Sequence, residues 1–229
     1  MRAVFIVGTD TGVGKTVITG CLARHLFEKG YNVITQKWIQ TGCDSFSHSD
    51  VATHLKIMGR KATAIKEHQP YAAPYIFKPA CSPHLASKIE DRRISADKII
   101  KSFNFLSRHF DLVIIEGVGG VLVPFTDKRL VIDIVKKVDL PVVIVAGNKL
   151  GAINHTLLTI EALRARKIRI VGLVFNNLRK EDKRILKDNP RIIRALSGQE
   201  IFGTLSWEPS YKKLYKRFAP IGERIFKRL

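Results

Sequence analysis

This sequence predicts a doubly wound α/β fold, a mainly parallel sheet with helices on both faces. Three observations lead there: short β-branched runs recur along the chain, they are apolar throughout instead of alternating, and the intervals between them leave room for amphipathic helices. A strand covered on both faces has no solvent side on which to carry polar residues, so continuous apolar runs separated by helical stretches mark a parallel sheet.

Taken in order, the first strand is VFIV at 4–7. A helix follows from Thr16 to Lys29, with Val17, Cys21, Leu22, His25 and Leu26 on one face and Gly30 as its stop. NVIT at 32–35 is the second strand. Residues 70–83, which contain Pro70, Pro74, Pro79 and Pro83, read as a long loop near the site, because long loops in compact domains are commonly functional. Ser95 to His109 forms a second amphipathic helix, LVII at 112–115 the third strand and VVIV at 142–145 the fourth. A helix from Asn154 to Lys167 and a strand IVGLVF at 170–175 complete the pattern. With no repeat, low-complexity segment or linker, the 229 residues read as a single domain, 1–229.

Composition narrows the classes. The early apolar run is four residues long, too short for a signal peptide's apolar region, and no later run approaches membrane-spanning length. Cys21, Cys43 and Cys81 are widely spaced and form no CxxC pair, which argues against a disulfide framework or zinc site and for a cytoplasmic location. The net charge of +19 attracts polyanions. Its densest part, Lys212, Lys213, Lys216, Arg217, Arg224, Lys227 and Arg228, is interleaved with Leu214, Tyr215 and Phe218, the pattern of a solvated helix face. Neither a membrane nor nucleic acid is expected as a partner.

The chemistry begins at Gly8-Thr9-Asp10-Thr11-Gly12-Val13-Gly14-Lys15-Thr16, directly after the first strand and before the first helix. A glycine-rich turn there lets backbone N–H groups close around phosphate oxygens at the positive end of a helix dipole. In such a P-loop, Lys15 reaches the β- and γ-phosphates of ATP and the Thr16 hydroxyl ligates Mg2+. Five residues separate Gly8 from Gly14, one more than the usual spacing. Glu116 ends the strand Leu112-Val113-Ile114-Ile115 and is followed by Gly117, Gly119 and Gly120. Ligands of open parallel sheets sit at the carboxyl ends of strands, so Glu116 shares an edge with the loop and offers oxygen to a hard cation. Lys37, after the second strand, emerges on the same edge. Phosphoryl transfer consists mainly of positioning and charge neutralisation, work suited to Lys15 and Lys37 together. Asp50 fits two roles equally, metal ligand or helix N-terminal residue.

GTDTGVGKT at 8–16, Lys37 with Thr41-Gly42, Ser49-Asp50, Ser82-Pro83-His84, EGVGG at 116–120, KLGAINH at 149–155 and Asn176-Asn177 together resemble the dethiobiotin synthetase family over most of the chain. The order of EGVGG and KLGAINH is the specific part; the phosphate loop alone is shared with many ATPases. The resemblance implies an ATP-dependent cyclo-ligase that joins 7,8-diaminononanoate to CO2 (or bicarbonate) through a carbamic–phosphoric anhydride, releasing ADP and phosphate. It implies Lys15 and Lys37 as catalytic residues and Thr16, Asp50 and Glu116 as magnesium ligands. Thr11, Gly12, Val13, Gly14, Lys15, Thr16 and Asn176 would hold ATP, with Asn176 at the adenine edge. Thr11 and Thr41 would face the diamine. The backbone of Gly151, Ala152, Ile153 and Asn154, opening a helix, would bind the substrate carboxylate from a neighbouring subunit, which implies a homodimer with shared sites. The chain departs from the family pattern at Gly12 (acidic in some members), Trp38 (commonly proline) and Ser206, and it matches poorly beyond Asn177.

Two related classes fit less well. Partition and cell-division ATPases carry an early signature lysine in the loop, where this chain has Asp10. Cobalamin-type amidating enzymes need a glutamine-hydrolysing domain for which this chain is too short. A stand-alone nucleotide-binding module would bind ATP without substrate-dependent turnover.

Overall fold

The computed structural model describes residues 2–178 and 180–229; Met1 and Arg179, which the expected domain 1–229 includes, lie outside the described residues. Six strands pair in parallel: β1 (Arg2–Gly8), β2 (Val33–Lys37), β3 (Leu112–Glu116), β6 (Val142–Gly147), β7 (Ile170–Asn177) and β8 (Ile201–Ser206). Their spatial order is β2-β3-β1-β6-β7-β8, and a small hairpin of β4 (Pro124–Thr126) and β5 (Arg129–Leu130), followed by α6 (Val131–Lys137), stands apart from the sheet. β2, β3 and β6 are buried at every position, as strands covered on both faces require, and that burial takes in Thr35, Gln36, Lys37 and Glu116 as well as the apolar residues.

Chain direction across the sheet reverses at β1. The crossover through α1 (Lys15–Glu28) leads toward β2, while those through α7 (Ala152–Ala165) and α8 (Lys183–Ser197) lead toward β8. Right-handed crossovers in opposite directions place α1 on one face and α7 and α8 on the other. The final helix, α9 (Tyr211–Phe226), packs beside α1. Such a reversal opens a crevice at the carboxyl ends of the central strands. Register then decides which side chains meet there. Lys37 and Ile6 both lie opposite Glu116, and Gly8 lies opposite Val145, so a lysine and a carboxylate finish adjacent strands beside the start of the phosphate loop.

The five predicted strands are present, with differences elsewhere. β8 has no unbroken apolar run, because Gly203 and Thr204 interrupt it, and it escapes a search for continuous apolarity. α1 is buried well beyond the expected face: Ile18, Thr19, Gly20 and Ala23 join Cys21, Leu22, His25 and Leu26, because α2 (Asp50–Met58) and α9 lie over it; Val17 is half-buried. α7 begins at Ala152, two residues before the expected Asn154, since Gly151 turns the chain at φ 85. The expected long loop at 70–83 is subdivided. Its start lies in the short α3 (Gln69–Ala72), Ile76 bridges to Gln40, and Pro83 opens α4 (Pro83–Ile89), for which proline suits the first turn.

Two further features follow from the sequence. Trp38, where proline is common in the family, is buried against Phe5 at 5.1 Å between ring centroids and donates from Nε1 to Gln36 Oε1 at 2.9 Å. A buried indole thus gains both area and a polar partner. In α9, Leu214, Tyr215, Phe218, Ile221 and Ile225 face inward, while Lys212, Lys213, Lys216, Arg217 and Arg224 are exposed, so the basic tail is a solvated face.

Candidate active site

Residues 9–14 join β1 to α1, and the first helical turn presents its backbone to them. Gly14 caps α1 at φ 94, a left-handed conformation that favours glycine. A Cβ at Gly14 would also lie 2.0 Å from Asn176 Nδ2, so glycine here answers to crowding as well as to backbone angle. Asn176 donates from that nitrogen to the Val13 carbonyl at 3.1 Å, tying the end of β7 to the loop. Lys15 curls back into the loop, its ammonium donating to the Asp10 carbonyl at 3.0 Å.

Glu116 is the hub. Its Oε1 accepts from the Thr16 hydroxyl at 3.0 Å and from Lys37 Nζ at 2.9 Å, and its Oε2 pairs with His54 Nε2 at 2.7 Å. Lys37 Nζ also reaches Asp50 Oδ2 at 2.7 Å and the Gly117 carbonyl at 2.9 Å. Burial raises the pKa of Glu116, but the Lys37 charge and the His54 hydrogen bond outweigh it and hold the carboxyl well below the usual range. Burial likewise opposes the Lys37 charge, and the Glu116 and Asp50 carboxylates override it, raising that pKa. Of the two roles open to Asp50 in sequence, its place at the start of a helix is observed. It is the first residue of α2, whose cap is the Ser49 hydroxyl accepting from Ala52 N–H at 3.2 Å, and it faces Lys37.

Lys15 lies at the opposite extreme. Burial and the nearby Lys37 charge bring its ammonium down to about 8. Phosphate oxygens beside it would restore the charged form, so nucleotide binding near pH 8 is expected to take up protons. Titration calorimetry in two buffers of different ionisation enthalpy checks this; equal apparent enthalpies would contradict it. The sign for folding runs the other way: between about 8 and 10.5 the unfolded chain holds the extra proton, so the cost of burying charged Lys15 declines as pH rises.

Three clefts adjoin along this edge, and Thr11 lines them all. The smallest, about 150 Å³, lies among Val13, Gly147, Asn148, Lys149, Asn176 and Leu178. The middle one, about 420 Å³, holds Lys15, Thr16, Lys37, Gln40, Asp50 and Glu116. The third, about 460 Å³, has walls of Ala80, Cys81, Pro83, Val118 and Val123, with Ser82 and Thr41 as polar members. A larger trough of about 840 Å³ between residues 70–74 and α5 (Ala96–His109) contains none of these groups. The candidate site residues named above therefore lie in the three smaller clefts.

Lys15, Lys37, Thr16, Asp50, Glu116, Thr11, Gly12, Val13, Gly14, Thr41 and Asn176 are thus brought together. Gly151, Ala152, Ile153 and Asn154 are not: they line none of these clefts. His54 and Gln40 were missed in sequence. Gln40 Oε1 accepts from the Asp50 backbone N–H at 2.9 Å, and His54 lies one helical turn beyond Asp50, a spacing that could have marked it. The donor chemistry suits magnesium. Thr16, Asp50 and Glu116 offer hard oxygens, and the Lys37 ammonium stands as a cation between the two carboxylates. Among the described residues no cluster of three or more His, Cys, Asp and Glu could hold a metal ion.

The family model described as "AAA domain" matches residues 2–213. The chain is 42% identical over 186 residues to the ATP-dependent dethiobiotin synthetase BioD 2 of Haemophilus influenzae, covering 81% of this chain and 96% of that protein. It is also 42% identical over 198 residues to the ATP-dependent dethiobiotin synthetase BioD of Chlorobaculum tepidum, covering 86% and 82%. Among solved structures, the Pyrococcus furiosus cell division ATPase MinD superposes with a TM-score of 0.62 at 14% identity, covering 99% of this chain and 98% of that one. A putative plasmid partition protein from Borrelia burgdorferi gives 0.64 at 12% identity, covering 100% and 99%. These two share the fold of nucleotide-binding ATPases.

Proposed function

The chain belongs to the dethiobiotin synthetase family, and from that premise we propose that it is a single-domain, cytoplasmic, magnesium-dependent synthetase that closes the ureido ring of dethiobiotin. The Lys37 ammonium carries the reading: it stands between Asp50 and Glu116 in the cleft that the phosphate loop also lines. One amine of 7,8-diaminononanoate adds to CO2 and loses a proton, giving a carbamate. A carbamate oxygen takes the γ-phosphoryl group of ATP and ADP leaves. The second amine then attacks the carbonyl carbon, phosphate departs, and the ring is closed.

Each step makes a demand that these residues fit. Lys15 and Lys37 neutralise carbamate and phosphate oxygens, which is most of what phosphoryl transfer requires. Thr16, Asp50 and Glu116 would hold Mg2+, which supplies charge neutralisation at the phosphates. Thr11 and Thr41 hydrogen-bond the diamine end, and the Val118, Val123 and Pro83 walls accept its methylene chain. The Asn176 amide nitrogen is engaged by Val13, leaving Oδ1 to accept from an adenine amino group at the small cleft. The substrate carboxylate would be met by the N–H groups of Gly151 to Asn154 from a second copy, at the positive end of α7. Leu150, just before that helix start, is 79% exposed, and Leu158, within α7, is 55% exposed. No helix of the described residues is long and apolar enough to cross a membrane.

The direct test is phosphate release from ATP with magnesium and bicarbonate, with and without 7,8-diaminononanoate. Release should depend on the diamine, with a product mass matching the cyclic urea. Release that ignores the diamine and rises with DNA would sink the proposal in favour of a partition-type ATPase.

A further inference from the structure

The least expected member of the site is His54. It is completely buried, its Nε2 lies 2.7 Å from Glu116 Oε2, and its Nδ1 has no hydrogen-bond partner. A ring with its proton on Nε2 accounts for both facts, donating that N–H to the carboxylate and leaving only a bare lone pair unmatched. A buried bare acceptor costs less than a buried N–H without a partner.

The backbone aims this contact. His54 follows Asp50 by one turn of α2, so both project from the same side of the helix. α2 approaches α1 closely at Gly20, where a Cβ would lie 2.7 Å from Ile57 Cδ1 and 3.2 Å from His54 Cα. The His54–Glu116 bond therefore joins the helix that carries Asp50 to the strand that carries Glu116. It occupies Oε2 and turns Oε1 toward Thr16 and Lys37.

We infer that His54 is a positioning residue for the metal centre: it fixes the rotation of the Glu116 carboxylate and the distance between Glu116 and Asp50. Lys37 bridges the same two carboxylates, but through the cleft and with an ammonium that must also serve the reacting phosphate. His54 holds them from the dry side and takes no part in the chemistry. A ligand's hydrogen-bond partner of this kind sets metal affinity, commonly by about 10- to 100-fold.

This inference rests on Glu116 being a magnesium ligand, and the experiment separates the two claims. Mn2+ affinity is measured by electron paramagnetic resonance in protein saturated with a non-hydrolysable ATP analogue. His54→Leu, which fills the space without a donor, should weaken Mn2+ about tenfold. His54→Gln, whose amide nitrogen reaches the Nε2 position, should stay within about threefold of the parent. Thermal melts confirm the fold, and His54→Met replaces the Leu variant if that one does not fold. Unchanged Mn2+ affinity in His54→Leu or His54→Met, with Glu116→Gln weakened, overturns the positioning role alone. Unchanged affinity in Glu116→Gln removes the metal assignment, and this inference with it.

Discussion

Lys37→Ala is expected to lower turnover by about 10²–10³-fold, the usual cost of removing a preorganised charge from a transition state. ATP should still bind within a few-fold of the parent, because Lys15, the loop backbone and the small cleft remain. The geometry adds a second consequence. Lys37 is the cation between Glu116, which is buried, and Asp50, whose side chain is 27% exposed. Its removal leaves Glu116 with His54 and Thr16 only, and breaking one side of a buried ion pair costs about 3–5 kcal/mol. The variant should therefore be less stable, and higher magnesium should recover part of that stability by replacing the lost positive charge. Stopped-flow phosphate release, ATP titration calorimetry and melting with and without magnesium separate the three effects. Near-normal turnover in the folded variant would remove Lys37 from the chemistry.

The same residue shows what a sequence can carry. That Lys37 and Glu116 share an edge was legible because each comes at the end of a β-branched run, and parallel sheets gather ligands at strand ends. That they touch depends on register, with Lys37 directly opposite Glu116, and no local signal sets register between strands separated by α2, α3, α4 and α5. His54 illustrates the limit better. A histidine within DVATHLKIM shares a helix face with Asp50, but the packing of α2 on α1 at Gly20 is what turns it toward the carboxylate. β8 was hidden by Gly203, whose missing side chain accommodates Ile221 of α9; a Cβ there would lie 3.0 Å from it. Of the loop expected at 70–83, Ala80 to Pro83 wall the third cleft, while Pro70 to Pro74 border the separate trough and the segment is divided by short helices.

Gly151 to Asn154 pose the remaining question, because their resemblance-based role requires a site that one chain does not close. A mixed dimer answers it. Asn154 is exposed at the start of α7, and Asn154→Asp sets a carboxylate where the substrate carboxylate should dock. Like charges so placed cost several kcal/mol, so diamine KM should rise by about tenfold or more. Asn154→Ala should do little, because the contact belongs to the backbone. Lys37→Ala and Asn154→Asp chains, co-expressed with different tags and purified through both, would form dimers with one doubly damaged site and one intact site. The intact site combines Lys37 from the Asn154→Asp chain with the undamaged helix start of the Lys37→Ala chain. At low diamine, such a dimer should show about half the wild-type activity although neither parent homodimer approaches it. If the site were complete within one chain, every site in the mixed dimer would carry one lesion, and its activity would be only the mean of the two parents.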